Sequence, residues 1–225
     1  MPFALCDGCF VYNFSANGVH NMNDVSPIKR GRKFDQVLEG ARAVFMADGY
    51  EGASVDNIAR AAGVSKATLY SYFPDKRLLF MEVAKCECGL QIEEADAILS
   101  DDSDPREVLC VAAERMLGFF LSDFGQSIFR MCVAESDRFP ELGREFYETG
   151  PKLFRERMVE YMRCAVADGE LAIDDLELAA DQFAELCKAN LFPEMVFGIR
   201  KTTTAAERKR VIDGAVETFM ARYGV

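Results

Sequence analysis

Two short helical patterns meet at Gly63 with no linker between them. Ser54 is a natural N-cap, and Val55, Ile58, Ala59 and Ala62 follow at the spacing of one helix face. Ser65 is a second cap, opening "KATLYSYF", and Pro74 stops that segment before Asp75 caps the next. A residue without Cβ can take the conformation a turn this tight needs, and Val64 behind it can plug a core. The stretch therefore reads as a helix-turn-helix.

The flanking sequence has the same character. Phe34, Val37, Leu38, Ala41, Val44 and Phe45 repeat at helical spacing, and Asp48-Gly49-Tyr50 ends that run. Beyond Asp75 the helices lengthen, with "KRLLFMEVAKCECGLQIEEADAILS" followed by a segment opened by Pro105. "QSIFRMCVAESDRF" comes next. Pro140 opens another helix, interrupted or kinked around Gly150-Pro151, Asp174 caps "DLELAADQFAELCKANLFPEMVFG", and Thr204 caps Ala205 to Tyr223. The expectation is an all-α chain of about nine helices. It divides into a leader over 1–27, a helix-turn-helix domain over 28–80 and a larger helical domain over 81–225. Met22 is an alternative start of translation, so the leader reads either as a mis-called start or as a small appendage.

Composition narrows the chemistry. His20 is the single histidine, and it sits in the leader, which removes most histidine-based catalysis and metal ligation. Glycines form neither a dinucleotide fingerprint nor a phosphate loop. Cys110, Cys132, Cys164 and Cys187 fall on apolar helix positions, the ordinary fate of a free thiol. Cys6-x-x-Cys9 and Cys86-x-Cys88 lack a zinc-knuckle context, so no metal and no cofactor is expected. No run is long and apolar enough for a bilayer span, and the start lacks the marks of an export signal; the expected location is cytoplasmic, away from the membrane.

Charge is unevenly placed. The formal net charge is −11, yet Met22 to Phe80 holds nine basic against seven acidic residues. Met81 to Val225 holds 17 basic against 29 acidic residues. An acidic body behind a mildly basic head weakens long-range attraction to a polyanion, but contacts inside a Debye length of about 8–10 Å are decided locally. Four of the head's cations, Arg32 and Lys33 among them, stand in "IKRGRK", an arm suited to phosphates or a minor groove, or simply a solvated charge run.

With Ser65 as cap, Lys66, Ala67, Tyr70 and Ser71 share an outward face, Thr68 and Tyr72 flank it, and Leu69 and Phe73 point to the core. Small Ala67 admits a groove wall, Thr68 offers a methyl and a hydroxyl to base edges, and tyrosine hydroxyls can reach phosphate. The helix starts at Ser54 and Ser65 add backbone amides. Taken singly, each residue has an ordinary reading as cap, packing or solubilising charge.

Taken together, "SVDNIARAAGVSKATLYSYFPDKRLLF" resembles the DNA-binding head of the TetR family of transcriptional regulators, whose signature includes Tyr-x-Tyr-Phe followed by a lysine opening helix four. The likeness covers Arg32 to about Val83. It implies that double-stranded operator DNA is the partner. It also implies that Ser54 and Ser65 are phosphate-facing caps, that Lys66, Ala67 and Thr68 meet bases or groove, and that Tyr70, Tyr72 and Lys76 meet phosphate. "DRFPELGREFYETGPKLF", "DGELAIDDLELAADQFAELCK" and "AVETFMARYG" resemble the AefR-like subgroup.

The resemblance further implies a homodimer through about 174–197 and 205–223. Leu176, Ala179, Ala180, Phe183, Leu186 and Cys187, with Val211, Ile212, Ala215 and Phe219, are the stripes that serve either that interface or the monomer core. It implies a small-molecule effector cavity, for which Met116, Phe119, Phe120, Phe124, Phe129, Cys132, Phe146, Phe154, Met158, Met162 and Phe183 are candidate lining residues suited to an apolar or aromatic effector. The expected function is a ligand-responsive dimeric repressor on a palindromic operator, and not an enzyme. The alternatives are a thiol-based redox-sensing regulator through Cys86, Cys88 or Cys132, and a helical enzyme that binds no DNA.

Overall fold

The computed structural model describes residues 31–98 and 104–225; the leader with His20, Cys6 and Cys9, and the arm residues Lys29 and Arg30, lie outside them. Among the described residues there are eleven α-helices and no strand beyond an isolated bridge from Leu171 to Gly224. The head comprises α1 (Arg32–Gly52), α2 (Val55–Ala61) and α3 (Lys66–Tyr72), and α4 (Lys76–Ile98) leads out of it. The body comprises α5 (Pro105–Leu121), α6 (Asp123–Glu135), α7 (Pro140–Thr149), α8 (Pro151–Ala167), α9 (Leu176–Cys187), α10 (Leu191–Val196) and α11 (Ala205–Tyr223).

The caps fall largely where the sequence puts them. Ser54 Oγ accepts from the Asn57 amide and Ser65 Oγ from the Thr68 amide, each at 3.1 Å. Gly63 turns the chain at φ +64, in the left-handed region. Thr204 opens α11 in a full capping box with Glu207. The cap of α9 is Asp175, which accepts from the Leu178 amide at 3.0 Å, and not Asp174 one residue earlier.

Two expected helices are each broken in two, which accounts for eleven elements in place of nine. Pro151 opens α8 after Gly150 leaves helical geometry (φ −115, ψ −88), so of the two expected outcomes, interruption or kink, the helix is interrupted. Pro193 cannot donate to the carbonyl of residue 189 and its ring would clash there. The chain therefore stops at Cys187 and restarts at Leu191 through Asn190 in a left-handed conformation (φ 49). α6 also starts earlier than expected, at Asp123, because Ser122 caps it by accepting from the Gly125 amide.

Packing forms two apolar clusters. One joins Phe34, Val37, Phe45, Ile58, Leu69, Phe73 and Phe80 to Phe124, Ile128, Cys132 and Leu142 from α6 and α7. The boundary expected between residues 80 and 81 therefore falls inside a continuous core. α4 carries the seam: Leu79, Phe80, Met81, Val83 and Ala84 are all buried, as in a helix covered on more than one face. The second cluster gathers Leu109, Leu117, Met162, Phe183, Val211 and Phe219 from α5, α8, α9 and α11.

Ion pairs tighten the seam. Glu87 on α4, 6% exposed, holds Arg42 of α1, and Lys85 pairs with Glu145 of α7. Arg77 binds Asp75 and, at 3.0 Å, Glu135 at the end of α6, while its guanidinium lies 3.8 Å from the Phe139 ring centroid.

In the head itself, α1 and α2 cross at Gly40, where a Cβ would stand 2.5 Å from the Ala62 backbone nitrogen. Gly40→Ala should therefore destabilise the fold by about 1–3 kcal/mol, the usual cost of overpacking, seen as a lowered urea midpoint with unchanged slope. A pH effect is expected at α11. The Thr204 amide, the Arg200 guanidinium and the Thr204 hydroxyl all donate to Glu207 and hold its pKa at about 2, against an ordinary 4.5. A carboxyl depressed in this way stabilises the fold only when ionised, fully above about pH 4.5 and progressively less as pH falls toward 2. The melting-temperature advantage of the parent over Glu207→Gln should shrink across that window.

Candidate nucleic-acid interface

The outward face of α3 assembles as its spacing requires. Lys66, Ala67, Tyr70 and Ser71 are exposed, Tyr70 to 48%, while Leu69 and Phe73 on the other side are buried. The helix starts of α2 and α3 border this face, and both cap hydroxyls remain exposed at the surface. Ser65 Oγ and Thr68 Oγ1 share a hydrogen at 2.9 Å, and Ser71 Oγ donates to the Thr68 carbonyl at 2.7 Å. These bonds hold the polar groups of the first turns in fixed positions. Arg32 and Lys33 are exposed in the first turn of α1.

Two residues assigned to phosphate do something else within the fold. Lys76 Nζ donates to the carbonyls of Tyr50 (2.8 Å) and Ala53 (3.1 Å) and sits 4.2 Å from the Tyr50 ring centroid. Two of the ammonium's three donors thus close the carbonyls left open where α1 breaks at Gly49. Tyr72 is half-buried, its ring edge-on to Phe34 at 5.7 Å, so its body is packing. Burial, with the charge of Asp75 next in weight, pushes the neighbouring Tyr50 phenol up to about 12.

Sequence reasoning missed the neighbours contributed by α2. Asp56 is in ion-pair contact with Lys66, and exposed Arg60 reaches the Asn57 side-chain oxygen at 3.3 Å. Asp56 is second in α2, an ordinary place for an acid at the start of a helix. Only the crossing of α2 and α3 brings it to Lys66.

The candidate effector residues fall into separate groups. Met158, Met162 and Phe183 are buried in the second cluster, with Met116 and Phe154 packed on it; Phe124 and Cys132 are buried in the first, with Phe119 and Phe146 against it. Phe120 and Phe129 belong to a half-buried aromatic row. Phe120 and Phe129 each stand 5.1 Å from Phe192 of α10, and Phe129 stands 6.2 Å from Phe146. Phe192 was not anticipated, because the broken helix that carries it was expected to run straight.

The stripes of α9 and α11 also resolve. Ala179, Ala180, Phe183, Cys187, Val211, Ile212, Ala215 and Phe219 are buried within the monomer. A shallow groove of about 650 Å³ runs along the same two helices, lined by Leu178, Leu186, Ala189, Phe219 and Tyr223 together with Asp181, Gln182, Glu185, Thr218 and Arg222. Leu178 there is 51% exposed.

Comparison with known proteins gives the family of the chain. A model of the tetR family of bacterial regulatory proteins matches residues 37–83, and a model of the AefR-like transcriptional repressor C-terminal domain matches residues 107–225, more than half the chain. The chain belongs to the TetR family of transcriptional regulators. A solved TetR-family structure from Mesorhizobium loti MAFF303099 superposes with a TM-score of 0.75 at 30% identity, over 86% of this chain and 98% of that one. The flavonoid-responsive regulator FrrA superposes with a TM-score of 0.61 at 34% identity, over 87% of this chain and 98% of that one.

Curated relatives match over shorter stretches. IcaR, the negative regulator of the biofilm operon of Staphylococcus aureus (strain Newman), is 26% identical over 113 residues, 50% of this chain and 59% of IcaR. The repressor AcnR of Corynebacterium efficiens is 42% identical over 58 residues, 26% of this chain and 31% of AcnR. The chain thus spans less than two thirds of the length of each. These relatives are DNA-binding regulators, not enzymes, and among the described residues no helix is long and apolar enough to cross a membrane.

The engagement of Lys76 gives a stability prediction. Lys76→Met should lower the stability of the DNA-free protein by about 1.5–3 kcal/mol, because charge-assisted bonds to two carbonyls are lost. Denaturant unfolding without DNA measures this. An unchanged midpoint would return Lys76 to a purely DNA-facing role.

Proposed function

We propose that the chain is a dimeric, effector-responsive transcriptional repressor that reads a palindromic operator. The observation that carries this is the exposed face of α3 between two capped helix starts, with Lys66, Ala67, Tyr70 and Ser71 outward and a buried Leu69 behind them. In this reading α3 lies in the major groove. Lys66, Ala67 and Thr68 meet base edges, Tyr70 and Ser71 meet the backbone, and the amides capped by Ser54 and Ser65 face phosphate. Arg32 and Lys33 follow the adjoining strand as the root of the basic arm. Lys76 keeps one donor for phosphate and Tyr72 has only its hydroxyl edge to offer.

Dimerisation through α9 and α11 is supported by the apolar groove that runs along them, since the inward stripes are already used by the monomer. A two-fold dimer presents two heads to half-sites about 34 Å apart, one helical turn of DNA. The half-buried row of Phe120, Phe129, Phe146 and Phe192 favours an apolar or aromatic effector, and similarity to the flavonoid-responsive FrrA points the same way. Displacement of α6 by an effector would be felt in the head through the Phe80–Phe124 contact and the Arg77–Glu135 pair, shifting the population toward a head spacing that no longer fits DNA.

A thiol switch at Cys88 or Cys132 is less well supported. Burial pushes these thiols up to about 11 and about 12, leaving little reactive thiolate near neutrality. An enzymatic reading finds no support in the regulator relatives.

Selection of bound duplexes from random DNA tests the proposal. A palindrome with half-sites one helical turn apart is the expected product, and recovery of no preferred sequence would sink it. Thr68→Ala should change the preferred bases at one position of each half-site, at about 1–3 kcal/mol of discrimination, when the selection is repeated.

A further inference from the structure

Two apolar patches stand uncovered, one at the start of α9 and one reached from its end through α10. The second is a tip at Phe197-Gly198-Ile199, where Phe197 is 79% and Ile199 75% exposed. Its backbone is fixed. Gly198 turns at φ +69, and the amides of Phe197, Gly198 and Ile199 donate to the carbonyls of Pro193 (3.0 Å), Met195 (3.1 Å) and Glu194 (2.9 Å). Arg130 of α6 donates to the Met195 carbonyl at 2.6 Å, and Arg200 is held by Glu194 at 2.7 Å and by Glu207 at 2.8 Å. Apolar side chains on a backbone already ordered can dock with little further loss of conformational entropy.

The first patch is Leu178, 51% exposed, which lines the groove beside Tyr223. From there the groove follows α9 to Leu186 and Ala189, a span of about 16 Å at helical rise, and six-residue α10 separates that far end from the tip. The two ends differ in charge. Asp174, Asp175, Glu177 and Asp181 are exposed around Leu178, with Arg155, 3.4 Å from Asp181, and Arg222 as counter-charges. Lys201 is exposed two residues beyond Ile199. A two-fold axis across the middle of the groove lays α9 of one copy against α9 of another in the reverse direction, so each tip comes to the Leu178 end of the other copy. Such an isologous contact covers both patches in both copies, whereas a head-to-tail contact leaves a tip free at one end and a groove at the other. We infer that Phe197 and Ile199 of one copy dock on Leu178 and Tyr223 of a second copy, with Lys201 facing the acids around them. This rests on dimerisation through α9 and α11, and adds to it the loop after α10 as an anchor at each end of the interface.

The test is sedimentation equilibrium of the full chain and of its variants Phe197→Asp and Leu178→Lys, each alone and the two mixed in equal amounts. The parent should be a dimer. Each variant alone should dimerise about tenfold more weakly or worse, because an apolar anchor is lost at both ends of the interface. In the mixture, a heterodimer keeps one unaltered contact of Phe197 with Leu178 and replaces the other by aspartate against lysine. It should therefore form several-fold more tightly than either variant homodimer.

Parent-like dimerisation of Phe197→Asp would overturn the inference while leaving the interface of α9 and α11 in place. Weakening of both variants with no gain on mixing would overturn it as well, since the tip would then meet a surface other than the Leu178 end. Far-UV circular dichroism of each variant checks that substitution at these exposed positions leaves the helix content intact. A parent that stays monomeric would sink dimerisation through α9 and α11 itself, a result distinct from any pattern among the variants.

Discussion

Phe80 holds the molecule together. Its ring centroid lies 4.7 Å from that of Phe45, 4.9 Å from that of Tyr50 and 4.9 Å from that of Phe124, so one buried side chain on α4 contacts the first helix of the head, its broken end and α6 of the body. Edge-to-face contacts of this kind are directional, and interiors this dense do not deform continuously. A shift of α6 must therefore either leave the ring cluster intact and carry α4 with it, or open a void. The Arg77 pair with Glu135 and the Lys85 pair with Glu145 lie along the same seam and add a geometric requirement to the apolar one. The position of the DNA-facing surface is in this sense a property of the body as much as of the head.

The electrostatics follow from place and not from totals. A chain of net charge −11 presents a DNA-facing head because its excess of acid is carried beyond Phe80. Within the head, charge is further rationed. Lys76 is committed to the open carbonyls of Tyr50 and Ala53, Arg42 to Glu87, Arg77 to Asp75 and Glu135, and Lys66 to Asp56. On the docking proposed for α3, these commitments lower the phosphate-directed part of binding and leave discrimination to the groove contacts of a seven-residue helix, while Arg32, Lys33 and Arg60 stay exposed.

The body shows a comparable division of roles. The inward stripes of α9 and α11 are consumed in the monomer core, so the groove around Leu178 and Tyr223 is the apolar surface these two helices leave open. The aromatic row joins Phe120 of α5 and Phe129 of α6 through Phe192 of α10, all three rings half-buried. Fold and family were legible early because helix caps, a glycine turn and apolar periodicity are local. The site was legible where it depended on a single helix: the exposed face of α3 needs only the spacing of its residues.

By itself the sequence determined the all-α class, the helix-turn-helix with Gly63 at its turn, the caps at Ser54, Ser65 and Thr204, and the split of charge between head and body. Each follows from residues a few positions apart, whose conformational preferences act without reference to the rest of the chain. Tertiary structure alone decided that Lys76 closes the end of α1, that Asp56 meets Lys66, and that head and body share one core through Phe80. Those outcomes depend on which elements cross and how closely, and periodicity specifies a helix's buried face without specifying what will cover it.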